Sequence, residues 1–314
     1  MFESNFMEVL MKKILIVLLV LLICPMLNAQ ATGYDYIPDN IQGFVGFHVQ
    51  QIHTSEIFQF FKKNTPIGIN VKKMEAFLLG TLQLSLTEDF DTIILAGSPG
   101  TDPFGIVKMF KDISYMKTFF AGNEIEVKGK TVYRDKTNKD TVFYFVSNNL
   151  LIVGKLDQVS AVIDTEKKQS GFIKKYGFQN FVSASIKNSS AIISAMQINE
   201  NLTKLVNKKK DIGLKMILNK MDGIAASLNI KDSLIINLGL IFKTEQLATS
   251  INDLCLGICG TISDVVDIKL EPKSFIFKWF SDRIKNKHAK KTVLLHLEAT
   301  LKEIQELMKK MSSL

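Results

Sequence analysis

Between Asn123 and Gly154 the chain reads NEIEVKGKTVYRDKTNKDTVFYFVSNNLLIVG, and few folds can accommodate such a stretch. Ile125 and Val127 alternate with Glu124, Glu126 and Lys128, Gly129 follows, and Thr131 to Arg134 resume the pattern. Alternation at period two about a Lys-Gly turn signals a hairpin, because glycine tolerates the positive φ of tight hairpin loops. Thr141 to Val146 is β-branched and aromatic, which suits a pleated, half-buried surface. Asn148-Asn149 supplies a second turn, and Leu150 to Val153 returns. Four consecutive antiparallel strands follow, with the other elements expected to cover one face of their sheet. The hexamer Val142 to Ser147 carries no charge and is expected inside that sheet rather than at an edge.

The rest of the chain reads as short strands and amphipathic helices. Strands are expected at Phe44 to Val49, Asp91 to Ala96, Ile106 to Phe110, Phe181 to Ile186 and Thr292 to Glu298. Gly223 to Ile230 and Ser233 to Phe242 form a hairpin around Lys231-Asp232. Helices are expected at Thr54 to Lys63, from Asp112 to Phe120, Leu156 to Lys167, Asn201 to Met221, Thr244 to Cys259, Lys273 to Arg283 and Thr300 to Met311. Strand, turn, strand, helix at 92–120 has the same order as at 223–259, with poor residue identity. The fold class is α+β: antiparallel sheets with helices packed on one face, in two related halves at 32–190 and 199–314.

Residues 1–31 have the order of a secretory signal peptide. Lys12-Lys13 precede the apolar run Ile14 to Ile23, then Pro25 and Ala29-Gln30-Ala31. The run is shorter than the roughly 20 residues of a membrane span. Met11 is a second candidate start, and an uncleaved N-terminal anchor is the alternative to cleavage. The expected address is periplasmic or extracellular. Of three cysteines, Cys255 and Cys259 lie beyond this segment, too few for a disulfide framework and without acid or histidine neighbours for a metal.

The net charge is +8 and the excess lies mostly in lysines. It concentrates at Lys208, Lys209 and Lys210 and in the run Lys285, Lys287, Lys290 and Lys291, read as a helix face and a basic loop. Such clusters fit an envelope protein partner or an anionic lipid surface, met peripherally rather than by spanning. No nucleic-acid recognition motif is present, and no nucleic-acid partner is expected.

The catalytic candidates are few. Ser98, in Ala96-Gly97-Ser98-Pro99-Gly100 after a strand, matches a relaxed nucleophile elbow, with His296 or His288 as its base. The following Pro99, Asp102 and Pro103 cannot start the helix whose amides would serve an oxyanion, so a plain turn is the stronger reading. The same segment lacks the Gly-Lys-Ser/Thr of a phosphate loop. Glu88, Asp89 and Asp91 lack the loop spacing of a calcium site, and His48 and His53 lack a third ligand. No metal or cofactor is expected.

The segment Tyr34 to Val49, with Pro38-Asp39 ahead of Gly43-Phe44-Val45, resembles the opening of uncharacterised exported proteins of planctomycete-type bacteria. Gly129 to Tyr133 and Phe143 to Gly154 resemble their later hairpin and strand pair, so the likeness covers residues 34–165. It implies export and brings no catalytic residues. The expectation is an exported, non-enzymatic envelope protein that binds a partner or an anionic surface. A small-molecule or lipid-binding module is the alternative, and a Ser98 hydrolase comes last.

Overall fold

A computed structural model describes residues 33–64, 75, 78–98, 100–168, 171–199, 218–231, 233–253, 279 and 282–312. The signal-like segment, Lys208 to Lys210, all three cysteines and most of the 201–221 and 273–283 helices lie outside these residues.

Twelve strands form one continuous sheet. In chain order they are β1 (Gly43–His48), β2 (Phe90–Gly97), β3 (Phe104–Met109), β4 (Glu124–Val127), β5 (Lys130–Arg134), β6 (Thr141–Ser147), β7 (Leu150–Lys155), β8 (Ile192–Gln197), β9 (Met221–Asn229), β10 (Ser233–Phe242), β11 (Ile284–Ala289) and β12 (Thr292–Thr300). Their spatial order is β11-β12-β10-β9-β8-β1-β2-β3-β7-β6-β5-β4, and each neighbouring pair is antiparallel. The fold class is α+β. The Asn123 to Gly154 meander is β4 to β7, with uncharged β6 held between β7 and β5. It occupies one end of the sheet, whose middle strands are instead β8, β1 and β2, with β1 paired to β8 from Gly43↔Met196 to Phe47↔Ile192.

Among the described residues, the α-helices with defined ends are α1 (Val49–His53), α2 (Glu56–Asn64), α3 (Leu156–Lys168), α4 (Phe172–Lys175), α5 (Gln179–Lys187) and α6 (Leu301–Ser312). Residues 245–253 are also helical, and Ser114–Phe120 is a 3₁₀ helix. Helical elements cover both faces, not the one face expected. On the first face, Phe44, Ile94, Ala96, Ile106, Val142 and Ile152 meet Tyr34, Ile37 and α3 to α5 through Val159, Val162, Phe172 and Phe178. On the second face, Ile93, Val107, Phe143 and Leu151 meet Leu84, Ile113 and Met116. Further along that face Met196, Ile224, Leu240 and Leu295 meet Leu247 and Ala248 of the 245–253 helix. Strands buried on both sides need apolar residues at both parities, and Ile93-Ile94 in β2 and Leu151-Ile152 in β7 supply them.

The expected strand Phe181 to Ile186 is helical, as α5. Phe178, Val182 and Ser185 recur at helical spacing and are all buried. The phenyl rings of Phe178 and Phe181 lie over Gly223 of β9 and Gly239 of β10, where a Cβ would meet them at 2.5 and 3.0 Å. The run Lys285 to Lys291, expected as a loop, is the edge strand β11 and the turn after it.

Outward from the β1–β8 seam, the two directions have the same plan. On one side come β1, β2 and β3, a 3₁₀ helix on the second face, and a later hairpin that places β7 beside β3 and β6 beyond it. On the other come β8, β9 and β10, the 245–253 helix on the same face, and a hairpin that places β12 beside β10 and β11 beyond it. A two-fold axis normal to the sheet between antiparallel β1 and β8 would relate these elements. The hairpin β4–β5 has no counterpart on the β11 side among the described residues.

Candidate functional site

The basic run lies along the β11 end of the sheet, where the pairing sets a row of polar side chains across four strands. Ser227 of β9 faces Asn237 of β10, Asn237 faces His296 of β12, and His296 faces Lys285 of β11. Direct cross-strand partners share a face, here the first face. The row interrupts apolar runs: Ile235, Ile236, Leu238 and Leu240 flank Asn237, and Leu295 and Leu297 flank His296.

Hydrogen bonds connect its inner members. The Asn237 Nδ2 donates to Ser227 Oγ at 3.2 Å, and Ser227 is 1% exposed. That fixes the amide so that its Oδ1 faces the His296 ring, 2.8 Å from Nδ1. A carbonyl oxygen only accepts, so Nδ1 carries the hydrogen and Nε2 faces outward. Glu298 Oε2 stands 3.8 Å from Nε2, and Ser233 Oγ donates to Glu298 Oε1 at 3.4 Å. Lys285 and Lys287, two residues apart in β11, stand exposed on the same face as His296. The strand ends in a turn where Lys290 has φ +51° and Lys291, also exposed, accepts a hydrogen bond from Phe242 N through its carbonyl.

On the second face β11 is anchored. Asn286 Nδ2 donates to the backbone oxygen and Oδ1 of Asn252, at 3.2 and 3.0 Å, at the end of the 245–253 helix. With β12 paired along its whole inner side, β11 is a fixed strand rather than a loose loop.

Two residues singled out separately in the sequence, His296 and Lys285, are thus cross-strand neighbours. Ser98 is not near them. It directly follows β2, and β1, β8, β9 and β10 intervene before β12, five spacings or roughly 24 Å along the sheet. Its Oγ accepts from Gln42 N at 3.1 Å, and its own N–H and C=O are bonded to Thr101. The segment is a turn from β2 into β3, as its prolines suggest, with no helix after it. The backbone of His288 lies in β11, but its side chain is outside what is described. Lys208, Lys209 and Lys210 are outside the described residues.

Asp91 is paired with Lys108 at 2.9 Å, and Asp89 Oδ2 accepts from Ser85 N at 2.7 Å with Lys111 at 3.8 Å. His48 is 2% exposed, and burial followed by the nearby Lys108 charge holds it neutral, well below its ordinary pKa. Ser227, Asn237 and Glu298 escaped the sequence reading. The signal for them was present: each is a polar residue at mid-strand in a run of apolar ones.

Chemically, the row is suited to binding. The Ser227 hydroxyl is buried against an amide rather than a base, and the outward groups are ammonium ions with one imidazole nitrogen and one carboxylate. No family model matches the chain, and no curated protein matches it. Among solved structures, crystal form I of TP0453 is similar with a TM-score of 0.41 and 10% identity, over 91% of this chain and 98% of that one.

Proposed function

We propose that this chain is an exported, non-enzymatic protein of the cell envelope that binds a protein partner or an anionic envelope surface through its basic sheet edge. One observation carries the reading. Lys285, Lys287 and Lys291, scattered in a supposed loop, are displayed along one anchored strand and its turn. Exposed ammonium groups along one strand and its turn, with no acid paired to Lys285, Lys287 or Lys291 among the described residues, attract polyanions and acidic protein surfaces. Two further features support it. Ser98 has a hydrogen-bonded turn for a setting and no imidazole beside it among the described residues. No helix among the described residues is long and apolar enough to cross a membrane.

The test is cross-linked recovery of the tagged full chain from native envelopes at low and high salt. Binding through the lysines predicts a recurrent partner or membrane fraction at low salt that is released at high salt, since exposed charges are screened. It also predicts loss of that fraction for Lys285→Glu combined with Lys287→Glu. Association that survives both treatments would count against the reading.

A further inference from the structure

We propose that the outer side of β11 accepts an extended, acidic segment of a partner protein as an added antiparallel or parallel strand. The inference rests on the reading of the basic edge as the binding surface, and it assigns that surface a mode and a partner chemistry.

The first argument is the repeated plan of the sheet. In the outward order from the β1–β8 seam, β11 occupies the place that β6 occupies on the other side. The outer side of β6 is filled by β5, with Tyr133↔Phe143 and Arg134↔Val142 in register. The corresponding outer side of β11 has no strand partner among the described residues. An edge strand presents a row of backbone donors and acceptors to whatever extended chain comes alongside.

The second argument is chemical. Natural edges carry lysines because those lysines repel a second copy of the same edge. The same lysines select a partner of opposite charge. Lys285 and Lys287 stand two residues apart on one face. An added strand repeats at the same period, so acids at alternate positions come opposite them. The third argument is rigidity. Pairing to β12 along Ile284↔Leu297 to Ala289↔Thr292 and the Asn286–Asn252 bonds hold the template straight before any partner arrives, which lowers the ordering cost of binding.

A lipid surface fits these observations less well. The exposed aromatic side chains that would enter a bilayer interface are Phe110, directly after β3, and Tyr115 and Phe119 of the 3₁₀ helix that packs over β5 and β6. That helix lies about nine strand spacings from β11, roughly 40 Å along the sheet. Phe110, after β3, is seven strand spacings from β11, so the exposed aromatic groups and the lysines do not share one end of the sheet.

The experiment uses the full chain and a fluorescent peptide of alternating threonine and glutamate, about ten residues long to span a strand with margin. Binding is read by anisotropy. The same peptide N-methylated at alternate residues, in each of the two phases, cannot form one set of backbone hydrogen bonds. Strand addition predicts at least a roughly tenfold loss for one phase, since several bonds of about 1 kcal/mol each are removed. Lys285→Glu with Lys287→Glu should weaken the unmodified peptide by roughly tenfold or more, with an unchanged thermal melt. If that variant does not fold, Lys285→Gln with Lys287→Gln and the wild-type comparison of the peptides decide the matter. Equal binding of all peptides would overturn strand addition and leave a charged binding edge. No peptide binding, but salt-sensitive co-sedimentation with phosphatidylglycerol vesicles, would overturn strand addition and leave the anionic-surface reading. Binding to neither would overturn both.

Discussion

At the scale of single residues, the centre of the sheet is crowded and holds polar groups under unusual constraint. A Cβ on Gly46 would lie 2.3 Å from the Tyr34 hydroxyl and 2.9 Å from Tyr34 Cζ. Gly46→Ala should therefore destabilise the fold by about 1–3 kcal/mol through overpacking, read as a lower urea midpoint. The Tyr34 hydroxyl is buried without a hydrogen-bond partner among the described residues, so it contributes a desolvation penalty with no compensating bond there. Tyr34→Phe is expected to leave stability unchanged or raise it, and to relieve part of the Gly46→Ala loss; a clear drop in the urea midpoint would contradict this. His48 supplies a pH dependence. Its folded pKa is depressed, by burial first and Lys108 second, so the unfolded chain binds the proton more readily. Its stabilising contribution is complete above the ordinary histidine pKa near 6.5 and declines on acidification, by up to about 1.4 kcal/mol per pH unit. Denaturation midpoints of the wild type and His48→Gln between about pH 7 and pH 5 should show a shallower slope in the variant.

Among elements, what was legible depended on how local the information was. The β4–β5 hairpin could be read because alternation and turn chemistry occur within a few residues. Lys128 and Gly129 take φ values of +52° and +79°, as a two-residue hairpin turn requires. The turn is then docked on α3 by Lys128 with Asp164 and by Lys130 with Glu166 at 3.0 Å. α5 was misread because Val182 and Ile186 are β-branched, while its period is set partly by Phe178, outside the strand-like window. Single members of the polar row stood out as polar residues in apolar runs, but their meeting could not be read. Ser227, Asn237 and His296 meet only because β10 pairs with β9 on one side and with β12, about 60 residues later, on the other. The start of α6 shows the local case again: Thr300 and Glu303 form a capping box, with Thr300 N donating to Glu303 Oε2 at 2.7 Å and Glu303 N to Thr300 Oγ1 at 3.3 Å. The Thr300 N–H first, then Arg283 and the Thr300 hydroxyl, hold the Glu303 carboxyl at about 2. Thr300→Ala should lower stability by about 1 kcal/mol, and the capping contribution of Glu303 should be present above the ordinary carboxylate range and fade as pH falls through it. Thermal melts at pH 7 and pH 3 on the wild type and Glu303→Gln would separate the two behaviours.

For the whole molecule, the strands on either side of the 190–199 boundary expected from element order belong to one sheet. β8 is chain-contiguous with the first half and pairs with β1 on one side and β9 on the other, Ile192↔Leu228 to Gln197↔Gly223. Removing residues before 199 would leave β9 without that neighbour and uncover Ala225 and Ser227, both buried. The 199–314 segment expressed alone is expected to aggregate or remain unfolded, checked by size-exclusion chromatography and near-UV circular dichroism. A monomeric, cooperatively melting fragment would show that the seam is dispensable. The repeat of plan, with the β4–β5 hairpin on one side only, could not emerge from residue identity, because what is repeated is the order of pairing and the face each helix covers.

The seam also dictates a timetable. β1 has its β2 partner early, but its other neighbour, β8, lies about 150 residues further along the chain. Until that strand is available, the central strand has one unsatisfied side, and no rearrangement of the first half alone can complete it. Loop closure over such a distance is slow compared with forming the β6–β7 hairpin. The meander should therefore gain protection from hydrogen exchange first and β1 among the last. A nascent chain halted before Ile192 would carry an adhesive strand through its very centre, so completion of synthesis and completion of folding are coupled events in this protein.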